Sequence, residues 1–155
     1  MFETMYKADG IGLAANQVGI SKSLIVIDTS GAEGAKYSDP PIVMINPVIE
    51  SFSDDEIDFP EGCLSVPKFY EKVIRPIQIQ VRYYDLEMKE YVFEADEMLS
   101  RVMQHEIDHL NGVLFYEKLT PVRRALAKNK LKKIKRGDTI PFYPMIGPDG
   151  KKTEK

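Results

Sequence analysis

The stretch "QHEIDHLNG", Gln104–Gly112, contains both histidines of this 155-residue chain. His105 and His109 are four residues apart, so on an α-helix their rings lie on one face, one turn apart. Glu106 is rotated by about 100° from His105 around the helix. Two imidazoles at this spacing can share one metal ion, beside which a carboxylate can take a proton from water. The pattern predicts a hydrolytic metal site; the alternative is a chance match in which the histidines cap or line the helix.

The periodicity around this stretch predicts a helix over Asp96–Asn111. Its apolar residues fall on one stripe, and the two histidines would project away from it. Gly112 is the residue type expected just past the helix end. The stripe consists of Leu99, Met103, Ile107 and Leu110. Arg75 and Asp108 are predicted either as a buried pair near the site or as solvent-facing charges.

A catalytic site of this kind needs three protein ligands and one open position. The longer metzincin pattern would place a third histidine where this chain has Phe115. Cys63, the single cysteine, is the other soft donor, and a thiolate readily joins two imidazoles. The alternatives are an inert buried thiol at this position, or a carboxylate as the third ligand.

The composition predicts one globular domain, since 43% of the residues are hydrophobic and 29% are charged. No apolar run is long enough to cross a bilayer, and no secretion signal is visible. With one cysteine no internal disulfide can form, which favours a reducing, cytoplasmic compartment. We expect neither DNA nor a membrane as a partner.

The rest of the chain reads as short strands with connecting loops and one further helix. The predicted elements are a helix end over 1–9, a strand over 23–30, a loop over 31–41, one or two strands over 42–52 with Pro47 at an edge or bulge, an acidic loop over 53–62, a hairpin over 72–95 with its turn near 85–89 and one buried face, and a short basic helix over 121–135.

The segment "GIGLAANQ", 10–17, satisfies the loose dinucleotide fingerprint through Gly10, Gly12 and Ala15. In that motif a buried strand precedes the first glycine and a long helix follows the last one. Here the preceding segment is polar and helical, and Gly19 interrupts any following helix. We therefore reject the nucleotide site and predict a loop or an extended edge.

Three segments, "GIGLAANQ" (10–17), "EGCLS" (61–65) and "QHEIDHLNG" (104–112), together resemble the ordered signature motifs of the peptide deformylases. The resemblance covers residues 1 to about 135. It implies an α+β fold with small mixed or antiparallel sheets packed around the central HExxH helix and a basic C-terminal helix. We expect a single domain over 1–140 and a loose tail over 141–155. The N-terminal strand and part of the first helix would be absent, which predicts reduced stability and activity.

The resemblance implies a cytoplasmic bacterial hydrolase, or an organellar one, that removes the formyl group from the N-terminal formylmethionine of nascent polypeptides. Formate is the other product. The implied ligands of one divalent metal ion are Cys63, His105 and His109. Ferrous iron is the first expectation, with zinc, nickel or cobalt as alternatives.

The same resemblance assigns the acid–base role to Glu106. The side chain of Gln17 and the backbone N–H of Leu64 would bind the oxyanion.

For the substrate, the backbone of Gly10, Ile11 and Gly12 could accept the peptide as an added strand. Met98 and Val102, one turn apart on the histidine side of the helix, could line a pocket for the methionine. The alternative for both is ordinary core packing.

Residues 121–136 carry eight basic and no acidic side chains, so the remainder of the chain sums to −3 − 8 = −11. This asymmetry indicates a polyanion contact, and the resemblance suggests the ribosome; the alternative is a solvated helix face.

Two other function classes remain open. A metallopeptidase of the HExxH type would cleave unformylated peptides. A non-catalytic metal-binding or ribosome-binding module would need a fourth protein ligand and would be indifferent to Glu106→Ala.

Overall fold

The computed structural model describes residues 1–32 and 40–153, so most of the loop expected over 31–41 lies outside the described residues. The chain forms two compact units. One comprises Met1–Ile57 with Arg75–Leu114, and the other comprises Asp58–Ile74 with Phe115–Lys155.

The described residues contain seven strands, three α-helices and two short 3-10 helices. The strands are β1 Gly12–Ala14, β2 Leu24–Ile27, β3 Ile42–Phe52, β4 Glu56–Cys63, β5 Val66–Pro76, β6 Gln78–Tyr84 and β7 Glu90–Asp96. The helices are α1 Phe2–Lys7, α2 Glu97–Leu110 and α3 Pro121–Lys135, with 3-10 turns at Ala15–Val18 and Phe115–Lys118. The predicted α+β class is confirmed.

The first unit is built on a five-stranded sheet with the strand order β1-β2-β3-β6-β7. Each neighbouring pair runs antiparallel. β1 and β7 are therefore the edge strands. The segment 10–17 combines both of its predicted forms, because a three-residue edge strand is followed directly by a 3-10 turn.

Residues 42–52 form one continuous strand rather than two, with a register shift against β6 between Ile45 and Val48. Pro47 lies at that shift, which is where a residue without an N–H can be accommodated in a sheet. The predicted bulge is therefore confirmed.

The predicted hairpin is confirmed as β6 and β7, but residues 72–76, predicted as part of its first strand, belong to β5 in the other sheet. Its turn closes with the Asp85 N–H donating to the Lys89 carbonyl over 3.0 Å. Ile79 and Val81 are buried, whereas Gln78 is exposed, as the alternation predicts.

Helix α2 has the predicted limits, with Asp96 and Asn111 as its capping residues and Gly112 just beyond at φ +74°. Val102, Met103 and Ile107 belong to the apolar core that the helix forms with the sheet. The predicted apolar stripe is confirmed, because Leu99 and Leu110 pack against the same core. Polar side chains on the other faces of the helix are buried as well. These are Ser100, Arg101, Gln104, Glu106 and His109.

The second unit contains most of the two-stranded sheet of β4 and β5, followed by α3. The acidic loop predicted over 53–62 is wrong, since β4 occupies most of it. Glu56 and Asp58 in the first part of β4 are solvent-exposed and remain hydrated while the backbone pairs with β5, whereas Glu61 is buried. The basic helix is confirmed with its predicted limits, and the Thr120 hydroxyl caps it by accepting from the Arg123 N–H.

Among the described residues, no helix combines the length and apolar character needed to cross a lipid bilayer.

Candidate functional site

The two histidines of α2 face one another across one helical turn. Their Nε2 atoms lie 3.2 Å apart, and the rings meet edge to face with centroids 4.8 Å apart. Two nitrogen ligands of one tetrahedral ion, each at about 2.0–2.1 Å from the metal, are separated by about 3.3 Å. The spacing of His105 and His109 therefore fits a shared metal ion.

The C-terminal half of α2 is held by side-chain hydrogen bonds to neighbouring backbone. The Asn16 amide donates to the His109 carbonyl, which joins the first motif to the last turn of the helix. The Gln104 amide donates to the Pro76 carbonyl over 2.9 Å and to the Ser100 hydroxyl over 3.0 Å. These bonds fix the rotation of the helix and hence the direction of the histidine rings.

Arg75 and Asp108 form the buried pair that was one of the two sequence predictions. The Arg75 Nη1 lies 2.6 Å from the Asp108 Oδ2, with the two side chains only 2% and 15% exposed. Asp108 immediately precedes His109, so this ion pair anchors the histidine-bearing turn to the end of β5.

Glu106 is buried against the backbone of β1. A Cβ atom at Gly12 would lie 2.5 Å from the Glu106 Oε1 and 2.8 Å from the Val102 Cγ1, closer than real contacts allow. A side chain at position 12 would therefore displace the carboxylate or the strand. Gly12 is the point at which the first motif contacts the predicted acid–base residue.

The Gln17 side chain is oriented by its own turn. Its Oε1 accepts a hydrogen bond of 2.8 Å from the Ala14 N–H, and the residue is half-buried. With the carbonyl end of the amide held in this way, its Nε2 is the donor end. That orientation suits the predicted role of donating to an oxyanion.

Cys63 ends β4, and Leu64 and Ser65 form the turn into β5. The Ser65 N–H donates to the Cys63 Sγ over 3.3 Å, and the Leu64 carbonyl accepts 2.6 Å from the Tyr143 hydroxyl. Burial, with smaller contributions from Cys63 and Tyr70, raises the pKa of Tyr143 to about 12. The phenol therefore stays protonated, and able to donate, at neutral pH.

Among the described residues, Cys63, His105 and His109 could together hold a metal ion. A thiolate and two imidazoles are suitable ligands for zinc or another first-row divalent ion. The three residues therefore form a possible metal-binding group, whose donor chemistry does not select one metal.

Comparison with known proteins identifies the family. The pattern of the family described as "Polypeptide deformylase" matches residues 1–125. The chain belongs to the polypeptide deformylase family. Its relatives and structural neighbours carry the name of an enzyme, so the prediction of a peptide deformylase-type enzyme is confirmed.

Two bacterial relatives show how far the likeness extends. A peptide deformylase of Cytophaga hutchinsonii is 45% identical over 148 residues, covering 96% of this chain and 80% of the relative. One of Salinibacter ruber is 44% identical over 155 residues, with the same coverage of both chains. The deformylase likeness thus includes residues beyond α3.

Solved deformylase structures share the fold. A mutant of Arabidopsis thaliana peptide deformylase 1B matches with a TM-score of 0.82 at 36% identity, covering 89% of this chain and 74% of that one. A deformylase from Legionella pneumophila matches with a TM-score of 0.75 at 43% identity, covering 89% of this chain and 78% of that one.

The structure places the predicted substrate residues at the sheet edge and in the core. Gly12 lies in the edge strand β1, and the neighbouring Ile11 carbonyl accepts from the Asp28 N–H. Met98 packs against the core cluster that contains Val102. Core packing is therefore present for both residues, and their pocket role stays a prediction, as do the other residue roles.

Sequence reasoning missed Tyr143 and the buried polar contacts of α2. Tyr143 lies in the segment expected to be a loose tail, outside the three motifs. Asn16 lies inside the first motif, so its position was a usable signal, although nothing in the sequence indicated its partner 93 residues away.

Proposed function

We propose that this chain removes the formyl group from the N-terminal formylmethionine of nascent polypeptides, releasing formate. Membership of the deformylase family supports this reaction. The observation that carries the proposal is the pair of imidazole Nε2 atoms 3.2 Å apart on a helix that also bears a buried Glu106, with Cys63 as the third candidate ligand.

Cys63, His105 and His109 would hold one divalent ion, for which ferrous iron is the first expectation and zinc, nickel or cobalt are alternatives. Such an ion supplies a Lewis acid and brings the pKa of water toward 7. Catalytic metal sites commonly have three protein ligands and one open position, whereas structural sites have four protein ligands. A set of three ligands would therefore fit a catalytic site. A thiolate ligand also makes the site sensitive to oxidation.

Glu106 would accept the proton of the attacking water and pass it to the departing amine, which leaves readily only when protonated. As the formyl carbon becomes tetrahedral, its oxygen gains negative charge. The Gln17 amide and the Leu64 N–H would donate to that oxygen, each contributing about 3 kcal/mol to transition-state stabilisation.

The substrate peptide would bind in extended form along the edge strand β1. An edge strand can pair with an added strand through the backbone groups that face away from its sheet, and we assign this role to the segment Gly10, Ile11 and Gly12. Within this segment the Gly10 N–H and the Ile11 carbonyl are already bonded to Met5 and Asp28. The methionine side chain would then contact the apolar surface of α2 near Met98 and Val102.

Formate release from a formyl-Met peptide tests the proposed reaction. We expect turnover by the metal-loaded chain and a fall of about 10²–10⁴-fold in kcat for Glu106→Gln, because general acid–base catalysis contributes that much. Glu87→Gln, at an exposed position, is the matched control and should leave kcat unchanged.

Other outcomes would contradict the proposal. Cleavage of unformylated peptides without formate would indicate a metallopeptidase. Metal binding with no turnover, unaffected by Glu106→Ala, would indicate a non-catalytic module.

We also propose a cytoplasmic setting of the bacterial type and a contact with the ribosome through residues 121–136. A reducing compartment is consistent with a single cysteine and an oxidation-sensitive ligand. The exposed basic residues of α3 suit a phosphate-rich surface, and an enzyme acting on nascent chains gains from proximity to them.

A further inference from the structure

The peptide unit between Leu64 and Ser65 is hydrogen-bonded at both ends. Its carbonyl accepts from the Tyr143 hydroxyl over 2.6 Å, and its N–H donates to the Cys63 Sγ over 3.3 Å. The two bonds run in series from the phenol, through one amide, to the sulfur. A group 80 residues away in sequence is thus linked to the predicted ligand atom.

Tyr143 belongs to an ordered C-terminal segment, here called the C-terminal strap and defined as residues 137–153. Its arms pair through a bridge between Ile146 and Lys152. Two further hydrogen bonds join Met145 and Thr153. The Thr153 N–H donates to the Met145 carbonyl over 2.7 Å, and the Met145 N–H donates to the Thr153 hydroxyl over 3.0 Å. The strap therefore presents Tyr143 from a closed loop rather than from a loose chain end.

Other contacts restrict the position of the phenol and the turn it reaches. The ring of Phe142 packs edge to face on Tyr143 with centroids 5.1 Å apart. Just before the turn, a Cβ atom at Gly62 would overlap the Tyr70 ring, so that ring lies against the backbone that precedes Cys63.

Hydrogen bonds that share an amide strengthen one another, by about 10–30% per bond in condensed-phase estimates. A donor on the Leu64 carbonyl makes the Ser65 N–H more positive, and this N–H then withdraws more charge from a thiolate. Partners that orient a metal ligand and tune its charge commonly change metal affinity or activity by about 10–100-fold when removed.

We propose that Tyr143 is a positioning residue that acts on the Cys63 sulfur through the Leu64–Ser65 peptide, lowering the sulfur's charge donation and fixing the turn that presents the Leu64 N–H. This inference rests on the proposed role of Cys63 as a metal ligand. It goes beyond that role by assigning a function to the strap, which lies outside residues 1–125 matched by the family pattern.

The absorption spectrum of the Co²⁺-substituted full chain tests the proposal. Wild-type protein should show a sulfur-to-cobalt charge-transfer band that is lost in Cys63→Ser. In Tyr143→Phe the ring is kept but the hydroxyl is removed, so the weakened N–H···S bond should shift the band to longer wavelength. Co²⁺ affinity should fall by about tenfold, the lower end of the usual range for such partners, because the turn that holds Cys63 is no longer fixed by the phenol hydroxyl.

Tyr84→Phe is the matched control, because it removes a phenol hydroxyl that donates to the exposed Glu90. Its band should not move. A second measurement needs no metal: hydrogen exchange at the Ser65 amide should be faster in metal-free Tyr143→Phe than in wild type, with unchanged circular dichroism.

The outcomes separate the two proposals. Absence of the band in wild type, or its persistence in Cys63→Ser, would refute the ligand set and the inference with it. A normal wild-type band that Tyr143→Phe leaves unshifted, or that Tyr84→Phe shifts equally, would overturn the inference alone.

Discussion

Gly12 shows how one residue without a side chain can position another residue's functional group. Its Cα lies so close to Glu106 that any Cβ atom would meet the carboxylate at 2.5 Å. Glycine is required here because a side chain would not fit. The backbone conformation does not require it, since the φ of Gly12 is not in the left-handed region. The glycine therefore allows the Glu106 carboxylate, the predicted acid–base group, to lie directly against β1, the edge strand proposed to bind the substrate.

Gly12→Ala should lower activity more than stability. Overpacking typically costs about 1–3 kcal/mol, whereas a displacement of about 1 Å in a catalytic group can reduce turnover by about 10²-fold. We expect kcat for formate release to fall by about that factor, with the thermal unfolding transition still cooperative.

Gly31→Ala is the matched control, since a Cβ there meets no atom of the described residues within 4 Å. Unchanged kcat in Gly12→Ala would show that the Glu106 carboxylate does not depend on this close approach.

At the scale of the element, α2 differs from an ordinary amphipathic helix because its polar residues are buried too. Ser100 is fully inaccessible, and the Gln104 amide finds its partners on Ser100 and Pro76. Burying such groups is tolerable because they are hydrogen-bonded. The same helix can therefore belong to the core and carry charged and titratable residues.

The buried pair of Arg75 and Asp108 is expected to contribute strongly to this arrangement. Asp108→Asn would remove one carboxylate partner of the buried Arg75 guanidinium, and removing one member of a buried pair costs about 3–5 kcal/mol. We expect the free energy of unfolding in urea to fall by that amount.

The exposed pair of Arg82 and Glu50, with the same N···O separation near 2.7 Å, provides the control. Glu50→Gln should change stability little, because solvent screens the charges of exposed pairs. An equally small effect of Asp108→Asn would show that the buried pair does not anchor α2.

For the whole molecule, the uneven charge predicts a salt-dependent association with the ribosome. Two basic residues of α3 already have partners within the protein. Arg123 binds Asp58 through both terminal guanidinium nitrogens, and the Lys130 ammonium lies over the Phe69 ring. Lys128, Lys132 and Lys133 are exposed. Changing these three to Gln should weaken co-sedimentation with ribosomes and reduce its salt dependence, with a slope change of about 0.7–0.9 per lost phosphate contact.

The triple change Lys22→Gln, Lys72→Gln and Lys89→Gln alters net charge equally, at exposed positions elsewhere. It should leave co-sedimentation close to that of the wild type. Binding that is insensitive both to salt and to the α3 changes would contradict a ribosome contact through this helix.

The candidate site was predictable where its signal is local. The spacing of His105 and His109 fixes their relative position through helix geometry alone, and Cys63 was identified as the remaining soft donor. Sequence reasoning failed where partners are distant. Residues 53–62 read as a loop because acidic residues are rare in strands, yet pairing with β5 makes most of them β4.

The sequence by itself determined the metal-ligand candidates, the limits of α2 and α3, the β6–β7 hairpin and the deformylase resemblance, because each depends on short-range periodicity or on motif spacing. Tertiary structure decided the closeness of Gly12 to Glu106, the pairing of Arg75 with Asp108 and the placement of Tyr143 on the Leu64–Ser65 turn. Those contacts join residues 33 to 94 positions apart, and the free energy that selects them is gained only when the whole chain packs.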